Sequence, residues 1–311
     1  MAPIVLFVYN RPWHTQQTVK ALQRCELASE SDLYIFSDGP KAEAAEEQIA
    51  QISEVRKYIR TIDGFQSVTI EESEVNKGLA NSVISGVTKV IGKYGKVIVV
   101  EDDIVAHPSF LRFMNGALDF YEHDSRIFMV GGCRLKFKIP WWYFHNIYIL
   151  HRSCSWGWAT WIERWSLADW NISDYNSFIN SKREIELFCR GGQDMIQLLQ
   201  QQIMGKIDSW AIRWDYCMYK HDGFCLWPKY SLVNNIGFDN SGIHCGNNSK
   251  IKIPPMDNNI SYNYVRNISE NKTLAKSFFK FCEPEPPISF ANSVKKNIKQ
   301  FVKKLKNRTC A

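Results

Sequence analysis

Glu101, Asp102 and Asp103 follow directly on Lys96-Val97-Ile98-Val99-Val100, and this junction is where the chain first offers chemistry. Five residues rich in β-branched apolar side chains read as a buried strand, too short and too uniformly apolar for an amphipathic helix. Three adjacent carboxylates cannot continue into a core, because burying like charges is costly unless a cation neutralises them. In open α/β sheets the ligand lies at the carboxyl ends of the strands. An acidic cluster at that place suits a hard divalent ion, and Mg²⁺ commonly joins one or two carboxylates to substrate phosphates. Taken alone, the triplet reads equally well as a solvated acidic loop.

Two other strand ends add to it. Arg11, after the apolar run at residues 3–9, carries a planar fork suited to a diphosphate. Asp38, after residues 33–36, is able to accept a hydrogen bond from a pyrimidine base, or to open the Ser37-Asp38-Gly39-Pro40 turn. Each alone is better explained as surface or turn. Their convergence on one edge of one sheet is the stronger signal.

The elements that must hold these groups alternate. Strands at 3–9, 33–36, 68–70 and 97–100 are separated by helical patterns at 13–24, 42–62 and 79–91. That order predicts βαβ units and a mostly parallel, doubly wound, Rossmann-like α/β sheet with helices on both faces. Further on, helices are predicted at 108–121, 184–204 and 210–221, strands at 127–130, 225–228 and 230–233, and an aromatic hairpin at 141–150. Residues 153–170 contain five tryptophans. Trp158, Trp161 and Trp165 recur at the spacing of one packed helix face. Gly157 allows close backbone approach beside Trp156, where an indole face suits a sugar ring.

Composition sets the limits. The 311 residues suffice for a substantial core, and the net charge of +6 is mild. Nine scattered cysteines form no CxxC pair, which argues against a zinc ribbon and for reduced thiols in a cytoplasmic setting. The N-terminal apolar run stops at Asn10-Arg11-Pro12, too short for a signal peptide, and nothing later approaches a membrane span. Basic residues gather in the tail rather than interleaving with aromatics, so nucleic-acid binding is not indicated. In that tail, after a proline-rich spacer at 283–287, residues 288–311 place Phe290, Val294, Ile298, Phe301 and Leu305 opposite a lysine-rich face. This basic amphipathic helix reads as a peripheral membrane contact or as a helix folded back on the body.

In order and spacing these motifs resemble the GT-A glycosyltransferases, closest to the N-acetylglucosaminyltransferase I type and its bacterial relatives. The residues carrying the resemblance are Asn10-Arg11-Pro12, Ser37-Asp38, Val99 to Val105 with Pro108-Ser109-Phe110, Ser155-Trp156-Gly157-Trp158 and Trp214-Asp215. It covers most of residues 3–245. The resemblance implies a catalytic domain at 1–249, with a nucleotide-binding half at 1–105 and an acceptor-binding half at 106–249. A linker or extension at 250–287 and the helix at 288–311 follow it. It also implies a hexosyl- or N-acetylhexosaminyltransferase using Mn²⁺ or Mg²⁺, a UDP-linked donor, and a glycan or lipid-linked glycan acceptor in bacterial surface-glycan assembly.

Residue by residue, it assigns the metal to Asp103, the ribose to Asp102, donor support to Glu101, the diphosphate to Arg11 and the uracil to Asp38. Asn81 joins the donor-binding set. Asp215 becomes the base of an inverting transfer, with Trp214 beside it and Asp208, Asp222 and Glu163 in reserve. Here Arg213 precedes Trp214, and Tyr216 stands where relatives often carry a second acid. His244, in the glycine- and asparagine-rich loop 237–248, is a second candidate for the metal. Trp156 and Gly157 are expected against the sugars. Two rival readings are a nucleotidyltransferase, which usually carries a glycine-rich loop after its first strand, and a non-catalytic carbohydrate-binding protein built on the tryptophan cluster.

Overall fold

A computed structural model describes residues 1–239 and 262–283. The first strands are β1 (Ile4–Val8), β2 (Asp32–Ser37), β3 (Ser67–Glu72) and β4 (Lys96–Glu101), and between them lie α1 (Pro12–Gln23), α2 (Glu46–Ile59) and α3 (Leu79–Tyr94). All five residues of β1 and the central four of β4 are buried, as expected for strands covered on both faces. The four strands run parallel in the order β3-β2-β1-β4. The chain steps outward from β1 to β3 and then returns across β1 to form β4. Right-handed crossovers therefore place α1 and α2 on one face and α3 on the other. The winding reverses between β1 and β4, whose carboxyl ends carry Arg11 and the acidic triplet.

The sheet continues through β6 (Ile127–Gly131), β7 (Ile147–Leu150), β8 (Trp158–Trp161) and β9 (Phe224–Pro228), giving the order β3-β2-β1-β4-β8-β6-β9-β7. β8 runs antiparallel to β4 and β6, and β7 antiparallel to β9; the other neighbours are parallel. The α/β class and the mostly parallel central sheet flanked by helices are thus as the sequence predicts. α4 (Phe110–Tyr121) packs on β6 and β8.

Several elements differ from the sequence pattern. Trp158 and Trp161 lie on β8 rather than on one helix face, and the helical turn α5 (Ile162–Trp165) begins only after them. Residues three apart on a strand face opposite ways. Accordingly Trp158 stacks on Trp210 and Trp165, while the Trp161 indole N–H donates to the Leu118 carbonyl. The helix expected at 184–204 is two, α7 (Lys182–Phe188) and α8 (Asp194–Ile203), with α6 (Tyr175–Ile179) before them. The break falls at Gly191-Gly192. A Cβ on Gly191 would stand 2.3 Å from the His151 carbonyl oxygen, and Gly192 has φ +145. Of the expected hairpin at 141–150, only β7 is a strand.

Two short strands were not legible as a pair: β5 (Ile104–Ala106) and β10 (Val233–Asn235), antiparallel, with Asn235 opposite Ile104. α9 (Trp210–Lys220) starts at Ser209, whose hydroxyl accepts from the Ile212 N–H. Part of the stretch expected as a linker or extension is described. Within 262–283, α10 (Lys272–Phe281) buries Leu274 and Phe278 in the main core, and the Tyr264 hydroxyl donates to the Phe113 carbonyl. Residues 288–311 and His244 lie outside the described residues. Among the described residues no helix is long and apolar enough to cross a membrane.

Candidate active site

The site is built on the two strand ends at the winding reversal. Pro12 opens α1 at its first helical position, which its fixed φ favours, and leaves Arg11 as the N-cap on a loop too short to wander. The Thr15 hydroxyl and N–H both bond the Arg11 carbonyl, and the Thr18 hydroxyl donates to the Asp102 carbonyl at 2.7 Å. α1 therefore fixes both partners of the contact that follows. The Arg11 guanidinium donates to both oxygens of Asp102, through Nη2 and, at 3.3 Å, through Nε. Its Nη1 donates to Asp103 Oδ2 at 3.0 Å.

Burial by itself lowers the Arg11 pKa, but the Asp102 and Asp103 carboxylates more than offset this and hold it firmly charged. Asp102 is pushed up by burial and pulled back by Arg11. Glu101 receives a hydrogen bond from the Trp210 indole and is pushed up to about 8, first by burial and then by its two acidic neighbours. Asp103 Oδ1 is buried and has no hydrogen-bond partner among the described residues.

Above this pair opens a cleft of about 500 Å³, within the range of small-molecule sites. Phe7, Val8, Tyr9, Asn10 and Arg11 line it from the end of β1, Phe36, Asp38 and Lys41 from the end of β2, and Glu101 to Asp103 from β4. Asn76, Gly78, Leu79 and Ser82 close one side at the start of α3, and Gly205 to Asp208 close it between α8 and α9. Asp38 lies on this wall with its lone pairs engaged. It accepts from the Gly39, Lys77 and Gly78 N–H groups and from the Asn76 side chain, so it also holds the 76–78 turn against β2. Asp208 accepts from the Ala80 N–H at 3.2 Å and stands 3.5 Å from Arg213 Nη2, yet remains about half exposed.

A second segment reaches the pair from the far side of the chain. The Ile236 N–H donates to the Asp103 carbonyl, extending the β5–β10 ladder by one bond. Gly237 follows so closely that a Cβ there would meet Asp103 Oδ2 at 2.3 Å and Arg11 Nη1 at 3.1 Å. Phe238 meets Trp156 edge to face, and Asp239 Oδ2 lies 3.1 Å from His14 Nε2 on α1.

The remaining sequence candidates lie elsewhere. Asn81 is exposed on the outer side of α3 and donates to the Lys77 carbonyl; Asn76 and Ser82, not singled out from the sequence, reach the cleft instead. Trp214 is fully buried among Trp165, Trp170 and Phe128. Asp215 is buried against Ser153, in the segment after β7, rather than on the cleft wall. Its Oδ1 accepts from the Ser153 N–H at 2.6 Å, and burial raises it to about 6 against the opposing charge of Arg152. Arg152 itself clasps Asp194 through two bonds. Gly157, at φ +61, packs on Phe110 and Val233, and its carbonyl accepts from the Gly132 N–H. Trp156 is half-buried beside Phe238, outside the cleft lining. Of the reserves, Glu163 pairs with the buried Arg164 and Asp222 with the partly exposed Arg190, both away from the cleft, and Asp208 alone lines it.

No protein-family model matches the chain, and no curated protein matches it. Among solved structures it is similar to S. aureus TarS over 75% of its length, at 8% identity and TM-score 0.39 for a longer TarS chain. For residues 1–349 of TarS the identity is 12% at the same TM-score. The chain spans 36% and 60% of those two TarS chains. It is also similar to mouse xyloside xylosyltransferase 1, at 9% identity and TM-score 0.35, over 70% of this chain and 80% of that one. Likeness at this level decides neither family nor activity, and the function rests on the geometry of the cleft.

Proposed function

We propose that this chain is a GT-A-type glycosyltransferase that moves a sugar from a UDP-linked donor to a carbohydrate hydroxyl with help from Mn²⁺ or Mg²⁺. The observation that carries the reading is the Arg11–Asp102–Asp103 constellation at the winding reversal, on the floor of a cleft sized for a nucleotide sugar. Lys41 and Lys206 add positive charge along the cleft walls, where a diphosphate needs it.

The acidic pair fits a hard cation in a limited way. Among the described residues Asp103 Oδ1 is buried and unpartnered, whereas no cluster of three or more His, Cys, Asp or Glu ligands occurs. Asp103, with Asp102 beside it, would hold such an ion through one or two carboxylates, the usual protein share for Mg²⁺. The chemistry supplied there would be neutralisation of charge on the departing diphosphate. Arg11 orients Asp102 and Asp103 and faces the same phosphates. The start of α3 and the 76–78 turn, pinned by Asp38, form the wall against which the nucleoside lies.

Inverting transfer needs a base opposite the leaving group. Asp215, the base that the resemblance implies, is enclosed by Ser153 and Arg152. We therefore give the role to Asp208, the half-exposed carboxylate on the cleft wall. The carbohydrate-binding alternative is weakened, because Trp158, Trp161 and Trp165 of its cluster are buried and Trp156 and Trp170 are only half-exposed. A panel of UDP, GDP, CDP and dTDP titrated by calorimetry with and without Mn²⁺ tests the proposal. Metal-assisted binding of UDP is expected; binding of none of the four discards it.

A further inference from the structure

The connection between β6 and β7 exposes aromatic surface with no partner among the described residues. Trp141 is 86% exposed, Phe144 81% and Trp142 42%. The loop holding them is nevertheless fixed. Tyr143, between them in sequence, is buried; its hydroxyl donates to the Ile147 carbonyl at 2.7 Å, and its N–H donates to the Pro140 carbonyl. Lys229 Nζ donates to the Tyr143 carbonyl, and the Lys229 N–H to that of Asn146. Tyr143 thus acts as the root, and its neighbours point away from the body.

The base of the loop is cationic. Lys136 and Lys138 are exposed on either side of Phe137, which packs against Phe278 and Phe281 of α10 at ring separations of 5.2 and 6.4 Å. α10 carries Lys272, Lys276 and Lys280 at successive turns, all exposed. Neither residues 132–146 nor α10 contains an acidic side chain. An aromatic tip above a lysine-rich base, with Glu270 and Glu283 only beyond the ends of α10, is the pattern of an interfacial anchor. Indoles partition into the zone between headgroups and acyl chains, and lysines gain from anionic headgroups. A glycan site asks for something else, a concave surface with carboxylates or amides for the hydroxyls. These residues supply no carboxylate.

We propose that residues 139–146 dock on an anionic lipid surface, with Trp141, Trp142 and Phe144 entering the interface and Lys136, Lys138 and the α10 lysines on the headgroups. The proposal stands independently of the transferase reading. The test uses the full chain with phosphatidylcholine vesicles, with or without about one-third phosphatidylglycerol, read by flotation and by hydrogen exchange of the 139–146 peptide. Anionic vesicles should slow exchange across 139–146. The triple variant Trp141→Ser/Trp142→Ser/Phe144→Ser should lose that protection and partition about tenfold more weakly, with an unchanged circular dichroism spectrum. Lys136→Glu/Lys138→Glu should weaken partitioning and make it less salt-dependent. Vesicle binding that leaves exchange at 139–146 unchanged overturns the proposal, because the chain then binds through another segment. Absence of vesicle binding overturns it too, as does protection of the loop by a soluble glycan and not by vesicles.

Discussion

Gly237→Ala is the sharpest perturbation the site offers, because it adds one methyl group where two catalytic candidates meet a distant strand. The new Cβ falls 2.3 Å from Asp103 Oδ2 and 3.1 Å from Arg11 Nη1. Relief to an ordinary contact needs about 1 Å of movement, and the carboxylate is the element least able to supply it, being held at 3.0 Å by Arg11. Losing one charge-assisted hydrogen bond costs about 1.5–3 kcal/mol, and re-aiming Arg11 and Asp103 should weaken nucleotide binding about 10- to 100-fold. The lost bond lies within the protein itself, so stability should fall by a comparable amount, with Tm lowered by about 3–12 °C. Calorimetric titration of UDP with Mn²⁺ measures the first effect and thermal unfolding the second. Gly92→Ala is the control. Its Cβ meets nothing within 4 Å on the surface of α3, so it should leave binding unchanged and stabilise the helix by about 1 kcal/mol. Wild-type affinity in Gly237→Ala, within about twofold, refutes the seating of residues 236–239 on the acidic pair.

Two further outcomes follow from the carboxylates around the cleft. Asp215 has a folded pKa of about 6, above its ordinary 3.8, because it is buried. Its contribution to stability is therefore complete at low pH and is lost as pH rises through about 6. Relative to Asp215→Asn, the wild type should lose about 2 kcal/mol between about pH 4.5 and 7.5, read from urea unfolding at several pH values; a pH-independent difference contradicts the buried placement. Asp208→Asn should lower kcat by about 10²- to 10⁴-fold with UDP affinity nearly unchanged, as expected for loss of a general base. A UDP affinity that falls in step with kcat assigns Asp208 instead to holding the α3 start.

How much of this was legible in the sequence follows from the range of the interactions concerned. β1 to β4 and the helices between them announce themselves locally, through apolar runs in β1 and β4, shorter ones in β2 and β3, and helical periodicity, and they bring Arg11, Asp38 and Glu101 to Asp103 to one edge without further information. The partners that close the site are not local. β5 and β10 are three residues each and far apart in sequence, too short to carry a period, so nothing in the pattern foretold that Gly237 rests on Asp103. The same holds for Asp208 at the start of α3. The sequence carried Asp208 only as a reserve for the base, ahead of the helix expected at 210–221, and did not say which wall it meets. Asp215 shows the opposite failure. Its sequence context beside Trp214 matches a motif, while the helix turns both residues inward, to Ser153 and to the Trp165 and Trp170 rings. The tryptophan spacing misled because i, i+3 and i+7 identify one face only if the backbone is helical, and β8 is not.

The most direct test of the central claim compares UDP binding to wild type and Asp103→Ala by calorimetry, with and without Mn²⁺. The account predicts that Mn²⁺ tightens UDP binding to the wild type and that Asp103→Ala abolishes this gain while keeping the fold. Equal binding by the two proteins in Mn²⁺, or no UDP binding by the wild type, contradicts a donor site on the Arg11–Asp102–Asp103 constellation.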